Sequence, residues 1–317
     1  MLPSLTAKQF ALNLEDLPNM RWMPLIVSSV LGLVALAGLF GGLALPLPSL
    51  LLWLVAVPAV AVALNEVLGK PVPFLRWSFL RMLLGMGALL KDWQVGDGRE
   101  QRAVDYVLEK ARPGDVDDAI RVIDEFGWQK SLLINVGDKK GPILDAAVRT
   151  ARPKLILELG TYIGYSALRM SRGLADGGRL CSVEFNASNA ELARRIIAHA
   201  GASDRIAIVV GTLGDGGATL DRLNRDHGFA RGALDFVFLD HAKEAYVSDL
   251  QLILERGFLR RGSVVVADNV KFPGAPAYRA YMQAQEGKLW RTVEHEAPIE
   301  YQSMIQDLVL VSEYLGA

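Results

Sequence analysis

Five short runs constrain this chain more than any other feature: "KLILEL" (154–159), "RLCSVEF" (179–185), "RIAIVVG" (205–211), "LDFVFLD" (234–240) and "SVVVADN" (263–269). Each is rich in β-branched or large apolar residues, and the stretches between them carry the spacing of helices. Short buried strands alternating with helices predict an α/β domain with a mainly parallel sheet, because parallel strands need a helical crossover. The runs share a second property. Glu158, Glu184, Asp240 and the pair Asp268 and Asn269 stand at or next to the points where they stop. One carboxylate in such a place reads as a cap or a solvated strand end. Several at one edge point to a site, since ligands of open α/β sheets collect outside the carboxyl ends of the strands.

The turn after the first run, "ELGTYIGYS" (158–166), brings Gly160 and Gly164 where a backbone can approach a ligand closely, with Ser166 placed to cap or contact it. The pattern is not the G-x-G-x-x-G of dinucleotide folds. Glu184, ending the second run, can accept two hydrogen bonds from a ribose diol. Together they indicate an adenosyl ligand without a phosphate tail. Upstream, "GREQRAVDYVLEKA" and "GDVDDAIRVIDEFGW" read as two opening helices, and "NVGDKKGPILDAAVRTA" as a loop and a third.

The remaining composition narrows the partners. The 34 Lys and Arg against 35 Asp and Glu leave a net charge of −1, which gives no electrostatic ground for nucleic acid. The lone Cys181 excludes an internal disulfide and reads as a small buried hydrophobe. His199, His227 and His295 read as solvated, and "LDRLNRDHGFARG" as a surface helix and loop.

The apolar residues are unevenly spread. No residue between Arg21 and Glu66 carries a formal charge. A bilayer core asks for about 20 apolar residues per helix, so this interval has room for two passes, with Pro46 and Pro48 at the turn. Arg76, Arg81 and Lys91 lie beyond the second segment and place both ends on the cytoplasmic side. The expected organisation is an N-terminal segment (1–21), two transmembrane helices (22–68), an interfacial or linker helix (69–95, its helical part at 74–90) and a catalytic domain (96–317), a multi-pass membrane protein touching lipid through its hairpin. Pro58 leaves open a second segment that only re-enters.

From Gly98 to the C-terminus, "NVGDKKG", "LELGTYIGYSALRMSR", "DFVFLDHAKEAYVSDL", "VVVADNV", "PGAP" and "IEY" occur in the order found in catechol O-methyltransferases, and the chain resembles that family. The resemblance implies a Rossmann-like class I methyltransferase sheet that uses S-adenosylmethionine and Mg²⁺ to methylate one hydroxyl of a catechol. It makes Asp240, Asp268 and Asn269 the metal ligands, oxygen donors as a hard cation requires. Lys243 becomes the general base and Glu300 the acid that holds the second hydroxyl. On the cofactor side it implies Val136, Asp138, Glu158, Gly160, Tyr162, Ser166, Glu184, Phe185 and His241.

Departures from the family bear on the acceptor. Its tryptophan gate is replaced by Leu132 and Ala242, with only Pro273 of the apolar gate kept, and its adenine-side Ser and Gln are Leu213 and Gly214. Trp128 and Phe272 are candidates to refill the gate; unfilled, its mouth would be wide and aliphatic. Two other functions stay open: methylation of another lipophilic diol or phenol, such as a prenylated catechol or a hydroxycinnamoyl ester, and a non-catalytic membrane adaptor that keeps the fold.

Overall fold

The computed structural model describes residues 46–68, 72, 75–302 and 305–316. Contacts divide the chain into two compact units, Met1–Leu80 and Arg81–Ala317. In the first, helix α1 (Pro46–Val67) contains Pro58 and ends on two polar side chains that are used locally. Asn65 Oδ1 accepts from the Val72 amide at 2.7 Å, and Glu66 Oε1 from the Trp77 amide at 3.0 Å. Among the described residues no helix is long and apolar enough to cross a membrane. The expected second span is therefore not established by α1, and the first, within 22–45, lies outside the described residues.

The expected single helix at 74–90 is two helices, α2 (Trp77–Leu84) and α3 (Met86–Asp92). The break falls at Gly85 for a steric reason: a Cβ there would lie 2.1 Å from the Val95 carbonyl oxygen, so only glycine lets the chain fold back so closely. The two opening helices follow as α4 (Arg99–Lys110) and α5 (Val116–Gln129). Asp115 caps α5, accepting from the Asp118 amide at 2.9 Å. Helix α6 (Gly137–Ala151) leads into the sheet.

All five expected strands form: β1 (Leu155–Leu159), β2 (Arg179–Glu184), β3 (Ile206–Val210), β4 (Leu234–Leu239) and β5 (Leu259–Ala267). Helices α7 (Tyr165–Ser171), α8 (Ala187–His199), α9 (Ala218–His227) and α10 (Tyr246–Glu255) alternate with them. After α11 (Pro276–Ala284), two strands beyond the five runs complete the sheet, β6 (Trp290–Pro298) and β7 (Gln306–Tyr314). The order is β3-β2-β1-β4-β5-β7-β6, with β7 antiparallel to its neighbours. This mixed seven-stranded sheet is the Rossmann-like class I methyltransferase arrangement expected above. Leu157, Val183, Val237, Leu239 and Val265 form its core with Leu220, Leu250 and Ile253 of the covering helices. Cys181 is buried there, and burial pushes its thiol up to about 12, as an inert packing residue requires.

Candidate active site

The site exists because strand ends line up. In the sheet Leu159 pairs with Val183 and with Leu239, and Leu239 pairs with Ala267. The next residues, Gly160, Glu184, Asp240 and Asp268, therefore emerge side by side where the strand order reverses between β1 and β4. Backbone bonds continue past the strands: the Asp240 amide donates to Leu159 O at 2.9 Å and the Asp268 amide to Leu239 O at 3.0 Å. Gly160, at φ +96°, is obligatory, because a Cβ would sit 2.5 Å from the Asp240 carbonyl oxygen.

One end of the cleft is a cavity of about 390 Å³, lined among others by Gly160, Tyr162, Ser166, Glu184, Phe185 and His241. The buried Glu184 is held by main chain: Oε2 accepts from the Thr161 and Tyr162 amides at 3.1 and 2.9 Å, and Oε1 from the Asn186 amide at 2.9 Å. Burial raises its pKa and these bonds oppose the rise. Tyr162 sits at φ +50° and donates its hydroxyl to Glu100 Oε1 at 3.0 Å. Phe185 is 44% exposed, an apolar face turned out at the cavity wall. His241 Nε2 lies 3.0 Å from Asp249 Oδ2, while its buried Nδ1 has no protein partner. Glu158 lies behind Ser166; the Ser166 and Ser182 hydroxyls donate to it, and burial pushes it up to about 8.

The other end is built from charge. Lys243 Nζ donates to Asp240 Oδ1 at 2.9 Å and to the Tyr246 hydroxyl at 2.7 Å. Asp268 is fully buried, and its Oδ1 has no hydrogen-bond partner. Asn269 takes a left-handed conformation (φ +56°), which asparagine tolerates, and donates Nδ2 to Asp307 Oδ2 at 3.0 Å, leaving its Oδ1 as an acceptor. Asp268 is raised by its burial, with Lys140 opposing.

Two residues that the sequence reading missed organise this end. Lys140 is fully buried, its Nζ 2.8 Å from Asp268 Oδ2, 2.6 Å from Glu300 Oε1 and 2.9 Å from Asp307 Oδ2. Burial works against its charge, but the carboxylates outweigh that and hold it well above the usual lysine value. Asp307, also fully buried, further accepts the Lys271 and Phe272 amides at 3.2 and 2.8 Å. A charge inside the apolar "QDLVLV" of β7 was the available signal, since a buried carboxylate must be paired.

Other expected residues fall outside the cavity wall. Val136 and Asp138 stand at the start of α6, and Ile134 and Asn135 line the cavity instead. Trp128 packs edge-on against Tyr301 at 6.0 Å and donates Nε1 to Asp138 Oδ2 at 3.3 Å; Phe272 is 47% exposed. Neither lines the cavity. Leu213, Gly214 and Ala242 do line the cavity, and so does Trp93, which the sequence reading passed over.

The fold and this strand-end site define a class I methyltransferase. The O-methyltransferase family model matches residues 120–302, and the chain belongs to that family. A probable O-methyltransferase of Mycobacterium tuberculosis is 60% identical over 74% of this chain and all of its own length. Mouse catechol O-methyltransferase is 37% identical over 68% of this chain and 78% of its own. Among solved structures, an O-methyltransferase from Bacillus cereus in complex with SAH matches at a TM-score of 0.49 and 22% identity, covering 66% of this chain and 96% of that one.

Proposed function

We propose that this O-methyltransferase takes its methyl group from S-adenosylmethionine and moves it to one hydroxyl of a catechol or related vicinal diol held on Mg²⁺ by Asp240, Asp268 and Asn269. The observation that carries the reading is the charge cluster. Among the described residues, Asp240, Asp268, Glu300 and Asp307 face two ammonium groups, Lys140 and Lys243, within contact distance. The formal excess is two negative charges, matched by one divalent cation. Among the described residues no group of three His, Cys, Asp or Glu could hold a metal. The donor set here is different in kind, two carboxylates and an amide oxygen, all hard donors suited to Mg²⁺ with water and acceptor oxygens completing the octahedron. The open Oδ1 of Asp268 fits that use.

When bound, Mg²⁺ supplies Lewis-acid activation and a fixed place for the acceptor. S-adenosylmethionine supplies an electrophilic methyl group. The chain's own residues do the rest. Glu184 accepts the ribose hydroxyls, Phe185 packs on the adenine, and His241 Nδ1 offers a polar contact at the cavity wall. Lys243, once its ammonium has released a proton to solvent, takes the proton of the reacting hydroxyl on Nζ, and Glu300, braced by Lys140, accepts from the second one. Orientation in a partly dry cleft accounts for much of the acceleration. Lys140 and Asp307 hold the other charges of this end in place.

The decisive experiment is methyl transfer from S-adenosylmethionine to a panel of vicinal diols, with Mg²⁺ and with excess chelator. Transfer to catechols that chelator abolishes supports the reading; chelator-resistant transfer removes the metal from it. The uncharged interval between Arg21 and Glu66 supports membrane attachment with the catalytic unit on the cytoplasmic side. Full-length protein is then expected to stay with membranes through an alkaline wash, and release by alkali alone would reject the anchor.

A further inference from the structure

Resting on that reading, we infer that Trp93 is the aromatic wall of the methyl-transfer cavity, provided by the connector ahead of the catalytic fold, and that it selects planar aromatic diols as acceptors. Trp93 lines the cavity together with Asp240, His241 and Ala242. Lys243 Nζ lies 6.0 Å from its ring centroid, and the same Nζ is bonded to Asp240 at the charged end. The indole thus lines the adenosyl cavity on the side that faces the ammonium proposed to deprotonate the acceptor. Of the cavity's other aromatic residues, Tyr162 and Phe185 stand with the cofactor groups; Ala242 offers a single methyl group, and Leu132, Trp128 and Phe272 do not line the cavity. The mouth is therefore partly aromatic, contrary to the wide aliphatic opening that Leu132 and Ala242 alone implied.

The indole is held in place beforehand. Asn186, the residue that caps α8, donates Nδ2 to Asp92 O at 2.6 Å, and Asn189 donates Nδ2 to Trp93 O at 3.3 Å. Gln94 Nε2 donates to Asn189 Oδ1 at 2.7 Å, and the Val95 amide donates to Glu100 Oε1 at 3.0 Å. That Glu100 oxygen also accepts from Tyr162, whose amide binds Glu184. With Trp93 itself in the left-handed region (φ +50°) and Gly85 permitting the fold-back, the strap is tied to the same turn that receives the cofactor. A wall whose backbone is already fixed costs little entropy when a ligand stacks on it.

The test uses the full chain, unaltered and as Trp93→Ala, Trp93→Phe and the double variant Trp93→Ala with Ala242→Trp. Binding of S-adenosylhomocysteine is titrated without acceptor or metal, and kcat and KM are measured for catechol and for an alkyl-tailed catechol. Trp93→Ala is expected to raise the KM for catechol about 2- to 10-fold, the worth of one aromatic contact, and by a larger factor than it weakens S-adenosylhomocysteine binding. Trp93→Phe is expected to stay near the unaltered chain, and the double variant to recover most of the loss, which general damage to the fold would not allow. An unchanged catechol KM in Trp93→Ala overturns the inference, as does a loss that neither phenylalanine nor the second tryptophan repairs. Failure of the unaltered chain to bind S-adenosylhomocysteine would instead overturn the reading of the cofactor on which the inference rests.

Discussion

The two ends of the cleft are built on different principles. The adenosyl end holds its buried carboxylate, Glu184, with three backbone amides and leaves Phe185 turned outward. The opposite end buries Asp268, Asp307 and Lys140 completely and ties them by charge. Main-chain donors are fixed by the fold and tolerate side-chain changes nearby. Buried charges stand only as a set, because removing one leaves another desolvated and unpaired. The first end should therefore govern affinity, and the second both rate and stability.

The sharpest separation comes from Asp268→Ala, which is expected to lower turnover at least about 10³-fold through loss of the proposed metal's Lewis-acid contribution while S-adenosylhomocysteine affinity stays within about twofold. A rate assay beside calorimetry reads both; a parallel collapse of the two would mean that the ends are not independent. Lys140→Met leaves buried carboxylates uncompensated and is expected to cost about 3–5 kcal/mol of folding stability in urea unfolding. A cost below about 1 kcal/mol would show that the cluster repacks or takes up protons easily. Asp307→Asn keeps the shape but weakens the hold on Asn269 and Lys140, and Mg²⁺ titration of activity should show an affinity about 10- to 100-fold lower.

The smallest effect expected is a change in the pH dependence of stability. Burial raises Glu158 to about 8 in the fold against an ordinary 4.5. In its window the folded state binds the extra proton, so its contribution is complete below the ordinary value and declines as pH rises to about 8. Glu158→Gln cannot titrate, and its unfolding free energy should be flatter than that of the unaltered chain across this range. Equal slopes in urea melts at several pH values would show that Glu158 is ionised in the fold.

Much of this molecule was legible in advance because its code is local. A run such as "LDFVFLD" states where a strand ends and that Asp240 follows it, and the parallel alternation then forces such ends to one edge. Strands β6 and β7 were not legible on the same grounds. "WRTVEHEAP" mixes charge into a half-exposed strand, and its partner β7 is recognisable only once the antiparallel pairing is known.

The sequence by itself determined the chemistry available: which carboxylates end the strands, where glycine must stand, and which lysine follows Asp240. Only the tertiary structure decided which charges are buried and what faces the cleft. Lys140 in "GDKKG" looks like one of two solvated lysines until α6 carries it against Asp307, 167 positions away. Trp93 belongs to no motif, and comes to line the same cavity as Ala242 because the chain folds back at Gly85 and is tied down by Asn186 and Asn189. Burial and contact between distant segments are properties of the packed chain, and no window along the sequence contains both partners.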